Sequence, residues 1–410
     1  MITSASSLTA SQVAAPPAPL DVDERLHALD ILRGLALFGM ILVHFHQKMR
    51  LDATGLEDLI GWGVWVLVEQ KSWGTFAFLF GVGFAVLLRR LEARRAPVLP
   101  IYLRRLATLA FFGLVAEVGF GFHILFAYAC WGVALLVIRR WSTRALLVTA
   151  ALAACARPVA AELTALHAWW TAASPTPAAG TALLQAVDAA ARQGSYASLL
   201  SARWALFVGT LPHTWRDLLP DVNLALFTLG LLAVRHRVLD EPKRHVRLLA
   251  GWMTFGALAW ATSWLVLRHL PALPIPGADD PLAYGLGLVQ DQWLCLTYIG
   301  AVVLLLAYRP EWTARLAVFG RAGRMALTNY MVQAAVLDVL ASGYGLGLKL
   351  RPYAYAPAAV ALFAAEAAVS SAWLARFRFG PLEWLWRTIT YARRQPLRRR
   401  AAALTGPASH

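Results

Sequence analysis

Apolar segments close to membrane-spanning length recur along this chain, and they limit its folds more than any other feature. A helix that crosses a bilayer needs about 20 predominantly apolar residues. Such segments fall at 28–46, 73–91, 102–121, 123–139, 145–163, 221–236, 248–267, 288–308, 325–344 and 355–375. Inside lipid each backbone N–H and C=O must be satisfied within the protein, which leaves helices or a closed barrel. The segments are too long for barrel strands. The expected fold is therefore all-α, a polytopic integral membrane bundle of about ten transmembrane helices. Composition agrees, with 59% of the 410 residues hydrophobic and only 15% charged, against about a quarter charged in soluble domains.

The net charge of +15 does not mark a nucleic-acid partner. Lys and Arg come in short runs between apolar segments, as in "RRLEARR" (89–95), "RHRVLDEPKRHVR" (235–247) and "RRQPLRRR" (393–400). That is the positive-inside pattern, and the partner it implies is the lipid bilayer. Ten spans with both termini in the cytoplasm put all these runs on one side. Residues 1–24, rich in Ala, Ser and Pro, read as a disordered cytoplasmic tail, 25–392 as one membrane-embedded domain, and 393–410 as a basic cytoplasmic tail. The N-terminus lacks the basic start and apolar run of a cleavable signal. Cys130, Cys155 and Cys295 lie in apolar runs without CxxC or Cys/His spacing, so neither a disulfide framework nor a metal site is indicated.

Two segments do not fit as spans. "LEDLIGWGVWVLVEQ" (56–70) is short, and "SLLSARWALFVGTLPHTWRDLLP" (198–220) is amphipathic and carries Arg203. Both are expected as interfacial or re-entrant helices on the outer side.

The first span, "LDILRGLALFGMILVHFHQKMR" (29–50), holds Asp30, Arg33 and His44. An ionisable group in the hydrocarbon costs at least ~2.5–3.5 kcal/mol and usually faces the bundle interior with a partner. At about 100° per residue, Asp30 and Arg33 are neighbours, and the eleven steps to His44 return to within about 20° of Arg33. The helical rise puts His44 some 16 Å beyond Arg33, toward the outer end. One reading is a structural ion pair with an interfacial histidine. The other is a polar track on which His44 serves as a general base, since a neutral imidazole can take a proton from a hydroxyl or amine.

"LDILRGLALFGMILVH" resembles the opening signature of the YeiB-like family, a bacterial membrane family of the DUF418 type. "FAFLFGVGFAVLLRR", "FGRAGRMALTNYMVQ" (319–333) and "FRFGPLEWLWRTITY" (377–391) resemble further motifs of that family in the expected order, over roughly residues 25–392. The family is grouped with transmembrane acyltransferases of the heparan-glucosaminide acetyltransferase and sugar O-acyltransferase types. The resemblance implies a bacterial inner or plasma membrane protein. It would move an acyl group from a cytoplasmic donor such as acyl-CoA, bound as co-substrate rather than as a tight cofactor, to a glycan, lipid or small-metabolite acceptor. The O-acyltransferase type has an Arg and a His with ten residues between them in its first span, as Arg33 and His44 have. That implies His44 as catalytic and Arg33 as a donor-positioning group. Many family members carry Asn at the position of His44. Where the family often has "GDIL", this chain has "FHIL", with His123 in place of the acid.

His123 is thereby a further catalytic candidate, sharing the outer face with His44 and with Glu117 as a partner; the plainer reading is a helix cap. Asp30, Glu117, Asn329, Gln333, Arg203 and Asp291 are candidates for substrate contact. Asn329 and Gln333 stand one helical turn apart, where paired amides also simply hold helices together. Arg104 and Arg105, with Arg321 and Arg324, precede spans on the cytoplasmic side and suit donor phosphates, unless they are only positive-inside anchors. No P-loop, GxSxG elbow or other covalent-nucleophile motif occurs, which favours direct transfer. The alternative is a transporter of a small organic solute using the same buried polar groups.

Overall fold

The computed structural model describes residues 27–51, 55–170, 181–211, 221–269 and 281–399. Among these residues the chain is all-helical. The helices are α1 (His27–Met49), α2 (Leu56–Val64), α3 (Gln70–Ala93), α4 (Val98–Leu114), α5 (Ile124–Ile138), α6 (Thr143–Trp170), α7 (Thr181–Gln193) and α8 (Tyr196–Thr210). They continue as α9 (Val222–Arg235), α10 (Val246–His269), α11 (Pro281–Tyr308), α12 (Glu311–Arg315), α13 (Ala317–Arg324), α14 (Ala326–Ala341), α15 (Pro352–Arg376) and α16 (Pro381–Tyr391). The only extended pairing among the described residues is two isolated bridges, Arg50 with Leu350 and Phe377 with Arg398.

Four helical stretches are long and apolar enough to cross a membrane: His27–Met49, Leu59–Ala93, Val98–Gly119 and Pro352–Arg376. Shorter apolar helices lie at Ile124–Ile138, Thr143–Ala156, Val222–Arg235, Leu294–Tyr308 and Ala326–Ala341. Exposed apolar side chains such as Val137, Leu152, Leu258, Val360 and Val369 stud the outer faces of these helices. A water-facing surface does not sustain that pattern over several elements, whereas hydrocarbon does.

Local sequence sets several of the boundaries. Asp221 caps α9 by accepting from the amides of Asn223 and Leu224, and Ser195 caps α8 by accepting from Ser198, satisfying otherwise orphaned donors. Pro352 and Pro381 open α15 and α16, where a missing N–H costs nothing. The segment 56–70, expected to be separate, instead runs unbroken into α3 through a π turn at Trp65–Glu69. A π turn rotates the apolar stripe without ending the helix, so the periodicity breaks where the backbone does not.

Between the expected spans 145–163 and 221–236 the chain forms a further helix, α7. The segment 198–220 is helical as α8 up to Thr210, and 212–220 lies outside the described residues. Residues 1–26 and 400–410 lie outside them too. The first part of the basic C-terminal stretch folds back, since Trp384 donates its indole N–H to the Gln395 carbonyl and Arg378 its amide to Leu397.

Glycines set how closely the helices cross. A Cβ on Gly34 would lie 2.0 Å from the Phe319 carbonyl oxygen, and one on Gly323 would lie 2.0 Å from that of Asp30, so α1 and α13 touch backbone to backbone. Gly81 and Gly230 make the same kind of contact between α3 and α9. Small residues at such crossings replace the hydrophobic drive that lipid removes. Two cores result. One lies among α3, α4, α5, α6, α9 and α11. The other lies among α1, α14 and α15, with Phe112 and Phe122 added from the region of α4. The candidate site lies where they meet.

Candidate functional site

A cavity of about 290 Å³ lies between α1, α3, α4, α14 and α16. Its lining includes five half-buried arginines, Arg33, Arg90, Arg105, Arg324 and Arg387, with two acids, Asp30 and Glu383. Asp30 is taken up by Arg33, at 2.8 Å, which the three-residue spacing allows. Glu383 accepts from the amides of Leu327 and Thr328 and from the Thr328 hydroxyl, and so caps the start of α14. Two arginines lie on aromatic faces, Arg105 3.8 Å from the Trp386 ring centre and Arg387 4.8 Å from that of Phe379. Such stacking holds planar guanidinium groups in place without consuming their donors. The rest of the lining is apolar and aromatic, and includes Met40, Trp73, Phe80, Leu109, Ile124 and Tyr330. An anionic head with a long, weakly polar arm matches this division.

His44 lies on α1 beyond the apolar part of the cavity and does not line it. Tyr330 forms part of the cavity wall, and its ring stands 6.3 Å from the His44 ring centre. The other neighbour of the imidazole is Phe122, at 4.2 Å. His44 is 3% exposed, and its Nδ1 has no hydrogen-bond partner among the described residues. His46 differs, since its Nδ1 is 3.0 Å from the Tyr355 hydroxyl, which ties α1 to α15. Arg33 and His44 therefore share a helix but not one open chamber.

The other sequence candidates separate into groups. His123 is exposed and stands as the N-cap residue of α5, making no side-chain cap hydrogen bond; it and Lys48 both act electrostatically on His44. Glu117 sits in a π turn, Val115–Gly119, that ends the α4 helix, within electrostatic reach of Tyr330. Asn329 donates to the Ala322 carbonyl and pairs with Ser370, 3.0 Å away, so it joins α13, α14 and α15. Gln333 is fully buried, and neither polar atom of its amide has a partner among the described residues.

Arg203 is 5% exposed and forms a two-pronged ion pair with Asp338, also donating to the Gly119 carbonyl at 2.9 Å. Asp291 lies on α11, and its side chain falls outside the described residues. Of the phosphate candidates, Arg105 and Arg324 line the cavity. Arg104 donates to the Thr390 carbonyl and Arg321 to the Ser371 hydroxyl.

Sequence reasoning missed Arg90, Arg387, Tyr330, Phe122, Asp338 and Glu366. Glu366, 5% exposed in the middle of α15, has no partner on either carboxyl oxygen among the described residues. A carboxyl in an apolar 25-residue helix is itself a sequence signal for function. The others carry none, because only the packing of distant segments gives them meaning.

These features define an all-helical protein, with four helical stretches long and apolar enough to cross a membrane and an arginine-lined cavity near a buried histidine. Residues 25–182 match the profile of the heparan-α-glucosaminide N-acetyltransferase catalytic domain, and residues 233–393 match the profile described as protein of unknown function (DUF418). Together these matches support a likeness to the YeiB-like DUF418 family, and through it to the transmembrane acyltransferases. Among its relatives are "Uncharacterized protein YxaH" of Bacillus subtilis, 29% identical with 92% of this chain and 97% of YxaH covered, and the "Uncharacterized 39.9 kDa protein in amylase 3'region" of Bacillus acidopullulyticus, 25% identical over the same shares. YeiB of Escherichia coli is 29% identical over 35% of this chain and 44% of its own length. No solved structure matches the chain.

Proposed function

We propose that the protein is a membrane acyltransferase that uses an acyl-CoA held in the arginine-lined cavity. The observation that carries this reading is the position of Tyr330, which walls the apolar part of the cavity and also stands beside His44. The Arg33, Arg90, Arg105, Arg324 and Arg387 guanidinium groups bind the donor phosphates, and the arm of the donor runs along the apolar lining. A turn of the Tyr330 side chain lets the thioester reach His44. The imidazole takes the proton of an acceptor hydroxyl or amine. The acceptor oxygen or nitrogen attacks the thioester carbon, the C–S bond breaks, and the thiolate recovers the proton from the imidazolium. The match of residues 25–182 to an N-acetyltransferase catalytic domain supports the same class.

In this reading the bundle has about ten spans, both termini and the cavity arginines face the cytoplasm, and the acceptor is a glycan, lipid or small metabolite on the other side. A transporter is the second reading, favoured by Gln333 and Glu366, which are buried and lack hydrogen-bond partners among the described residues. Mass spectrometry of envelope glycans and lipids, with and without the protein, separates the two. A fixed acyl mass increment on one component supports transfer. An altered distribution of an unmodified solute supports transport.

A further inference from the structure

We infer that residues 119–123 form the acceptor port of this reaction, with Phe122 the residue that decides whether an acceptor hydroxyl or amine reaches His44. The inference rests on the acyl-transfer reading above. His44 is almost wholly buried, yet its Nδ1 has no hydrogen-bond partner among the described residues. A buried polar atom in that state is costly, so it calls for a reason. The ring packed most closely on it is Phe122, and the Lys48 ammonium, one turn further along α1, stands 4.8 Å from the centre of that same ring. The next residue, His123, is exposed. Within one residue the chain passes from contact with the imidazole to the surface, so the Phe122 ring is the partition between them.

The backbone around this ring is built to be held and released. Two residues after the π turn Val115–Gly119, Gly121 stands at φ 74°, a conformation other residues seldom adopt, and π turns recur at functional sites. The Gly121 carbonyl accepts from Lys48 at 3.3 Å. The Gly119 carbonyl accepts from Arg203, whose pairing with Asp338 fixes it to α14. A Cβ at Gly121 would lie 2.9 Å from the Lys48 amine and 3.2 Å from the Arg203 Nε. Two cations thus clamp the segment just before the ring, at Gly119 and Gly121. Releasing the long, single hydrogen bond of Lys48 frees Phe122, while the buried Arg203 clamp keeps the turn in place.

The test places a thiol where the imidazole stands. In full-length protein in lipid nanodiscs, with Cys130, Cys155 and Cys295 changed to Ala, His44→Cys is exposed to a small hydrophilic thiosulfonate. The port predicts slow labelling, made at least tenfold faster by adding Phe122→Ala. Phe363→Ala, which empties a ring elsewhere in the same core, leaves the rate unchanged. An unchanged rate with Phe122→Ala, or equal acceleration by Phe363→Ala, overturns the port. Phe122→Trp guards against an unfolded alanine variant, and it should label more slowly than Phe122. Phe122→Ala in protein that keeps His44 should also raise hydrolysis of bound acyl-CoA, as water gains entry. Faster labelling in a protein that turns over no acyl donor supports the port and removes the acyl-transfer reading. Turnover with labelling indifferent to Phe122 does the reverse.

Discussion

The imidazole of His44 rests on the ring of Phe122 with centroids 4.2 Å apart, and this contact divides the interior. On one side lies a cavity lined by five arginines; on the other the chain reaches solvent at His123. The base proposed for the reaction sits between the Phe122 ring and Tyr330, a residue of the cavity wall.

Arg105→Ala should weaken CoA binding by roughly 10–150-fold, the equivalent of about 1.5–3 kcal/mol for a charge-assisted hydrogen bond. Arg104→Ala and Arg321→Ala should change it less than threefold, because those guanidinium groups are spent on Thr390 and Ser371. Equilibrium binding of CoA to the purified protein distinguishes the two sets. Equal losses for all three would mean that general positive charge, not the cavity arginines, attracts the donor.

The Arg203–Asp338 pair should act as a structural clamp. Removing one partner of a buried pair costs about 3–5 kcal/mol, because the other charge is left uncompensated. Arg203→Met and Asp338→Leu should each lower the thermal unfolding midpoint sharply, and the double variant should recover much of the loss. The Tyr344 hydroxyl donates to Asp338, and burial, together with the charge of Asp338, pushes its phenol up to about 12.

Two glycines on neighbouring helices should respond oppositely to the same change. Gly34→Ala puts a methyl group 2.0 Å from the Phe319 carbonyl and should abolish folding or force α1 and α13 apart. Gly83→Ala meets nothing within 4 Å, so it should stabilise α3 by up to about 1 kcal/mol from helix propensity alone. Yield of monodisperse protein and its unfolding temperature read out both.

Glu366→Met should stabilise the protein, because it removes two buried oxygens that lack partners among the described residues. Relief of such groups is worth about 1–3 kcal/mol each in the unsatisfied state. A gain in stability with loss of turnover marks a carboxyl kept for function. A loss of stability shows that Glu366 is held by a contact that outweighs its burial.

The all-helical character was readable because long apolar segments favour helices, and four of the helical stretches are long and apolar enough to cross a membrane. The Asp30–Arg33 pair was readable because three residues along a helix make neighbours. Arg203 drew notice as a charge in an amphipathic stretch, but its partner lies 135 residues away and no periodicity links them. The continuity of α2 with α3 was hidden by the π turn, which shifts the phase of the pattern that sequence reading follows. Phe122 looked like any other apolar residue, because what distinguishes it is the imidazole that α1 lays against it.

Turnover of labelled acyl-CoA by the purified protein, with and without His44→Ala, tests the central claim most directly. The account predicts that the substitution lowers turnover about 10²–10⁴-fold, the usual contribution of a general base, while CoA binding and unfolding temperature hold. His46→Ala, which loses only the hydroxyl contact to Tyr355, should retain turnover. Undiminished turnover in His44→Ala would contradict the account.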